Sequence, residues 1–106
     1  IAQGAAELLV TCKNQQPTIP HILLVAPPHI VSTDDIEYLL PFEGAFEKSK
    51  NLATHYQYFA NKLGCHFLDA SKVAESSPVD GIHLDENAHR KLGTKLHSLT
   101  KEILAI

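Results

Sequence analysis

The sequence predicts an α/β fold, part of a three-layer α/β/α sandwich with a parallel sheet. Two short apolar runs, residues 22–26 and 65–69, are typical of buried strands, and segments of helical periodicity precede, separate and follow them. Strands that alternate with helices pair in parallel through right-handed crossovers. Because two strands alone do not make a stable sheet, we expect the remaining strands to come from an upstream segment or another chain.

Length and composition bear on the domain organisation. A chain of 106 residues is one small domain at most, and 44% hydrophobic with 20% charged residues excludes a disordered tail. The sequence begins with Ile1 and contains no Met, so we expect a processed terminus or a missing upstream segment. The prediction is therefore a single partial domain over residues 1–106.

The first elements follow from periodicity and from prolines. Apolar residues recur at helical spacing over residues 1–15, which predicts the first helix. Residues 22–26 lie between prolines and are apolar on both faces, as in a strand buried on both sides. In the loop that follows, residues 33–35 are expected to open a short helical turn. The apolar stretch 36–42 is expected to form a pocket wall or a subunit contact.

The second half contains a long helix, a strand and a final helix. An amphipathic pattern over residues 44–63 predicts a helix with aromatic residues in the core, and Gly64 is placed to end it as a left-handed cap. The strand at 65–69 follows. Asp85 is a suitable N-cap for a last helix. The apolar residues that define these two helical faces are Phe46, Tyr56, Phe59, Ala88, Leu92, Leu96, Leu99 and Ile103.

The charge balance argues against nucleic acid as a partner. The net charge is −3, whereas nucleic-acid-binding domains carry a basic face. Residues 1–47 hold six acidic residues and one lysine, so the bases concentrate later in the chain. The basic residues near the end have the spacing of a solvated helix face; they are Arg90, Lys91, Lys95 and Lys101.

The apolar runs and the cysteines of the sequence bear on membrane association and on the cellular compartment. No apolar run approaches the ~20 residues that span a bilayer, so we expect no membrane partner. Two cysteines, Cys12 and Cys65, do not form a disulfide framework and indicate a reducing cytoplasm. A secretory leader that had been removed would leave no trace in the sequence.

One short motif carries chemistry, the pair Asp80-x-x-His83. A serine nucleophile needs an imidazole base held in one tautomer, and a carboxylate that accepts the Nδ1–H bond holds it so. Gly81 permits a tight turn between the two residues. The spacing is equally compatible with a turn aspartate followed by a histidine at the entry of a helix.

The longer segment from Asp80 to Gly93 resembles the closing segment of the SGNH (GDSL-type) serine hydrolases. In that family the catalytic Asp and His lie three residues apart, just before a C-terminal helix. His89 matches a second histidine that often follows on that helix. Three shorter stretches are similar to the arylesterase and acyltransferase-like branch; they lie at residues 22–28, 48–53 and 67–70.

The resemblance implies a fold, a site and a reaction. The chain would be the C-terminal half of a flavodoxin-like α/β/α sandwich, with Asp80 as triad acid and His83 as general base. The activity implied is hydrolysis of small to medium carboxylic esters without a cofactor.

Two strings of the family are missing. The sequence contains neither a Gly-Asp-Ser nor a Gly-x-Asn-Asp segment, so the nucleophile and the oxyanion-hole residues are expected upstream. We expect the 106-residue chain alone to be inactive and to need that segment or a second copy. The alternative is a non-catalytic half-domain that acts as an assembly module, because a two-stranded sheet leaves open edges.

Four further residues are candidates for the site or its surroundings. Pro28 and His29 follow the first strand, at the end where ligands bind in α/β sheets, and are predicted to bind substrate. Asp69 is expected either to bond backbone near the site or to form a turn. His89 is expected to pack or to support the site from behind. No metal-ligand spacing is present, so no metal is predicted.

Overall fold

The structure is a computed structural model and describes residues 1–15, 20–31 and 44–106. Its strands pair in parallel, with Leu23 opposite His66 and Ala26 opposite Asp69. The predicted α/β class with a parallel sheet is confirmed. The elements in chain order are helix α1 (Ala2–Gln15), strand β1 (Leu23–Ala26), helix α2 (Ala45–Leu63), strand β2 (His66–Asp69), a 3-10 turn (Ala70–Lys72) and helix α3 (Glu86–Leu104).

The helix ends follow the sequence signals closely. Gly64 has φ +69° and ends α2 with its N–H bonded to the carbonyl of Ala60. Glycine takes this left-handed conformation without a Cβ clash. The Lys13 ammonium of α1 also donates to the Leu63 carbonyl at the same end. At the start of α3, Asp85 Oδ1 accepts the Ala88 N–H at 2.8 Å, which confirms the predicted N-cap.

Some expectations differ from the structure or fall outside it. Each strand begins one residue later than predicted, at Leu23 and His66. The short turn expected at 33–35 and the apolar stretch 36–42 lie outside the described residues. Across the ranges that the structure describes, no helix has the length and apolar character of a membrane span.

The core is built mostly from small side chains. Helix α2 packs on both strands and on α1. Its buried residues are Ala53 and Ala60, so alanines occupy the centre of its packed face. The prediction of an aromatic core along α2 is therefore wrong: Tyr56 and Phe59 are half-buried, and Phe46 is 40% exposed. Small residues at the centre let a helix approach a sheet closely and displace bulky rings to the flanks.

Helix α3 is covered less completely than its sequence predicts. Its one buried residue is Ala88, and the leucines of its apolar stripe are only half-buried. Within the described ranges no large side chain is fully buried. The basic residues predicted on its solvated face are all exposed, as expected; they are Arg90, Lys91, Lys95 and Lys101.

Candidate active site

The site lies where the two strands end. Ala26 and Asp69 are paired at the carboxyl ends of β1 and β2, so the segments that follow them leave the sheet at one edge. Two hydrogen bonds join these segments. Val31 N–H donates to the Gly81 carbonyl at 2.9 Å, and Ser76 Oγ donates to the His29 carbonyl at 2.8 Å.

The predicted pair Asp80 and His83 is in direct contact. Asp80 Oδ1 accepts the backbone N–H of Ile82 at 2.8 Å and of His83 at 2.9 Å. Its Oδ2 contacts Nδ1 of the His83 ring. Gly81, at φ +76°, provides the left-handed residue that this tight turn requires. The four residues 80–83 thus form a tight turn organised by one carboxylate.

The contact defines the chemistry available to His83. A carboxylate has only acceptors, so the ring donates through Nδ1–H and its Nε2 keeps the lone pair. The His83 side chain is 78% exposed, whereas that of Asp80 is 14% exposed. An accessible imidazole whose Nε2 has no hydrogen-bond partner among the described residues, with a sheltered anion at its Nδ1, is the arrangement that a general base needs.

The environment keeps Asp80 ionised. The hydrogen bond from the His83 side chain, followed by the backbone N–H groups of His83 and Ile82, lowers the pKa of Asp80 from 3.8 to about 2. Hydrogen bonds to the charged form of a carboxyl group favour that form. Asp80 is therefore an anion throughout the neutral pH range and can stabilise an imidazolium when His83 takes a proton.

Two further residues support the turn, and no role for them was predicted from the sequence: Ser77 bonds to the turn itself and Ser76 to the loop beside it. Ser77 N–H donates to the His83 carbonyl and Gly81 N–H donates to the Ser77 carbonyl, both at 2.7 Å. Ser76 is 5% exposed. The run Ser-Ser-Pro signals a turn. Nothing local in it indicates that Ser76 bonds to a residue 47 positions earlier.

The loop after β1, of which the structure describes residues 27–31, lies beside this turn. Pro28 and His29 are half-buried, and it is the His29 carbonyl that accepts the bond from Ser76. The structure thus brings both predicted substrate-binding residues to the same edge as the Asp80–His83 pair. Their contact with substrate stays a prediction.

The weaker candidates have simpler roles. Asp69 caps the 3-10 turn by accepting from the backbone and the hydroxyl of Ser71, at 3.0 and 2.6 Å, so its turn-forming interpretation is confirmed. His89 is exposed on α3, which contradicts the expected packing role. In the part of the chain that the structure describes, no three His, Cys, Asp or Glu side chains are grouped as metal ligands.

Comparison with known proteins gives matches among solved structures. No protein-family model and no curated protein matches the sequence. A carbohydrate acetylesterase family member from Sinorhizobium meliloti is similar, with a TM-score of 0.86 and 32% identity over 99% of this chain and 54% of that chain. The aryl esterase of M. smegmatis is similar too, with a TM-score of 0.88 and 29% identity over 97% of this chain and 51% of that one. The chain spans about half the length of each.

Proposed function

Because the chain belongs to the SGNH hydrolase family, we propose that it supplies the acid and the base of a serine esterase or acyl hydrolase. The observation that carries the proposal is the double contact of Asp80 with His83, to the ring and to the backbone. The chain matches about half of each related esterase, which supports a partial domain, and we propose that this half is the C-terminal one.

The proposed mechanism has two steps. In the first, the hydroxyl of a serine outside this chain attacks the ester carbonyl while His83 Nε2 takes its proton. The imidazolium, stabilised by the Asp80 carboxylate, returns that proton to the leaving alkoxide, and an acyl-enzyme remains. In the second, His83 takes a proton from water, which attacks the acyl-enzyme, and the imidazolium then gives that proton to the serine oxygen as the acid leaves. No cofactor enters this chemistry.

The substrates proposed are small to medium carboxylic esters. The two related proteins are described as a carbohydrate acetylesterase family member and an aryl esterase, which favours acetylated sugars or aryl esters for this chain. Pro28 and His29, beside the acid–base turn, are the proposed substrate contacts on this half of the site.

The nucleophile is proposed to lie in the other half of the domain. The sequence has no Gly-Asp-Ser or Gly-x-Asn-Asp segment, so it lacks the strings with which the family supplies its serine and its oxyanion-hole asparagine. The 106-residue chain alone is accordingly proposed to be inactive toward esters.

The test uses the complete protein with a chromogenic short-chain ester and a fluorophosphonate label. We expect hydrolysis and labelling of the intact protein, and a fall in kcat/KM of about 10³-fold or more for His83→Ala. His97→Ala is the matched control, because His97 is an exposed histidine on α3 outside the turn. Hydrolysis that His83→Ala leaves unchanged would overturn the assignment.

A second candidate is a non-catalytic assembly module. It is favoured by the half-buried apolar stripe of α3 and by the absence of a fully buried large side chain in the described ranges. The fluorophosphonate experiment separates the two candidates, because an assembly module without a triad is not labelled in the complete protein.

A further inference from the structure

We infer that Ser76 is a positioning residue for the acid–base pair: its hydroxyl fixes the Asp80–His83 turn against the loop that follows β1. The catalytic consequence of this inference rests on the proposed function, whereas the contact itself does not. Ser76 is the single polar residue that is buried among the described residues, with 5% of its surface exposed.

The bond made by Ser76 has a clear energetic reason. A buried hydroxyl without a partner is unfavourable, and so is a buried carbonyl. The buried Ser76 Oγ gains a partner by donating to the carbonyl of the half-buried His29 at 2.8 Å. A second bond lies on the other side of Asp80, where Val31 N–H donates to the Gly81 carbonyl at 2.9 Å. The two bonds hold the turn to the loop both before and after Asp80.

Ser77 connects Ser76 to His83, the proposed general base. Ser77 N–H donates to the His83 carbonyl, and the Ser77 carbonyl accepts from Gly81 N–H. A shift of Ser76 therefore moves the backbone at both Gly81 and His83. The contacts within the Asp80–His83 pair are local, so they set the shape of the turn, and Ser76 helps to set its place in the domain.

Placement matters because the nucleophile is proposed to come from another part of the protein. A general base acts only within hydrogen-bond reach of the proton that it takes, and a misplacement of ~1 Å costs up to about 10²-fold in rate. Loss of the Ser76 bond is expected to leave the Asp80–His83 contact intact. It is expected to impair the alignment of His83 with the serine nucleophile.

The chain offers a matched control in Ser49 of α2. Its hydroxyl oxygen accepts the Ile30 N–H at 2.9 Å and donates to the Phe46 carbonyl at 2.8 Å. Ser49 thus anchors the same loop after β1, but from the α2 side. Ser49→Ala removes another serine hydroxyl that bonds to the backbone of this loop, as an acceptor rather than a donor, without touching the Asp80–His83 turn.

The experiment compares Ser76→Ala, Ser76→Cys and Ser49→Ala in the complete protein, each below its unfolding temperature. Ser76→Cys keeps the shape of the side chain, with a somewhat larger atom and a weaker donor, and remains informative if Ser76→Ala fails to fold. We expect Ser76→Ala to lower kcat about tenfold or more with a small change in KM. Ser76→Cys is expected between Ser76→Ala and wild type, and Ser49→Ala within about twofold of wild type.

Two readouts separate alignment from general loosening. In Ser76→Ala the pKa of Asp80, followed by carboxyl-carbon NMR, is expected to stay at about 2, because the pair itself is intact. Amide exchange is expected to become faster at Val31. Its bond to the Gly81 carbonyl should open more often once the Ser76 bond no longer helps to hold the two loops together. A kcat that Ser76→Ala leaves unchanged, or that Ser49→Ala lowers equally, would overturn the inference.

A failure of this inference can be distinguished from a failure of the proposed function. If the complete protein hydrolyses no ester, the proposed function fails, and the amide exchange at Val31 still tests whether Ser76 holds the two loops together. Unchanged exchange at Val31 in Ser76→Ala would then overturn the contact on its own.

Discussion

The Asp80 carboxylate holds His83 at two points, since one oxygen accepts the backbone N–H of His83 at 2.9 Å and the other contacts ring Nδ1. The same group thereby fixes where the backbone of His83 runs and which ring nitrogen carries the proton. The backbone contact restricts the χ angles from which the ring reaches the carboxylate. The ring contact directs the lone pair of Nε2 away from it.

Removing the charge of Asp80 should impair the base without unfolding the turn. In Asp80→Asn the side-chain amide can donate to Nδ1, which stabilises the tautomer with the proton on Nε2 and removes the base. We expect kcat for a chromogenic ester to fall by about 10³- to 10⁴-fold in the complete protein. Asp85→Asn is the control, because Asp85 caps α3 and has no bond to His83. Retention of most activity by Asp80→Asn would contradict the role assigned to Asp80.

The titration of Asp80 should report the contact with His83 directly. The pKa of Asp80 is lowered from 3.8 to about 2, chiefly by the His83 side chain. In His83→Ala the pKa should rise part of the way to 3.8, because the N–H groups at positions 82 and 83 still donate to it. Carboxyl-carbon NMR over pH 1 to 6 measures this change. An unchanged pKa would mean that the ring contact does not form in solution.

The same shift gives the direction of the pH dependence of stability. The pKa of Asp80 is lower in the folded state than in the unfolded state, so its contribution is complete above about pH 4 and is lost as the pH falls toward 2. Denaturant unfolding at pH 6 and pH 2.5 should therefore show a smaller acid-induced loss for His83→Ala than for wild type. An equal loss in both proteins would argue against the contact.

Two glycines should respond in opposite directions to alanine. Gly64 has φ +69°, which costs a residue with a Cβ about 1 kcal/mol, so Gly64→Ala should lower the free energy of unfolding. Gly93 lies within α3, and a Cβ there would meet nothing within 4 Å. Gly93→Ala should raise the free energy of unfolding by up to about 1 kcal/mol. Chemical denaturation measures the free energy of unfolding of both variants. A change of the same sign in both would contradict the prediction.

The isolated chain should depend on association. Six of the eight buried apolar residues in the described ranges are alanines, and Leu92 and Leu96 of α3 are only half-buried. We expect the 106-residue chain to be oligomeric or poorly folded, and to unfold without a sharp transition. Sedimentation velocity and thermal denaturation measure both properties. A monomer with cooperative unfolding would rule out the need for a covering segment.

Local features of the site could be predicted from the sequence. The Asp85 cap, the Gly64 end of α2 and the Asp80–His83 contact each depend on residues at most four positions apart. Their geometry follows from side-chain reach and from the left-handed preference of glycine. The order and parallel pairing of the strands also followed, because periodicity and crossover rules leave few alternatives.

The features that the sequence did not predict depend on distant contacts. The bond between Ser76 and His29 joins two loops, and neither local sequence predicts it. The burial of Tyr56 and Phe59 was overestimated, because helical periodicity gives the apolar side of a helix but not how much of that side a neighbour covers. Coverage depends on the layer packed against the helix.

The local turn at 80–83 has a consequence for how the site assembles during folding. Its contacts close a loop of only three residues, which costs little chain entropy and needs no distant partner. The bond from Ser76 to His29 spans 47 residues and therefore closes a much longer loop, at a higher cost in chain entropy. The acid–base pair is therefore expected to acquire its internal geometry early, and its location in the domain at a later stage.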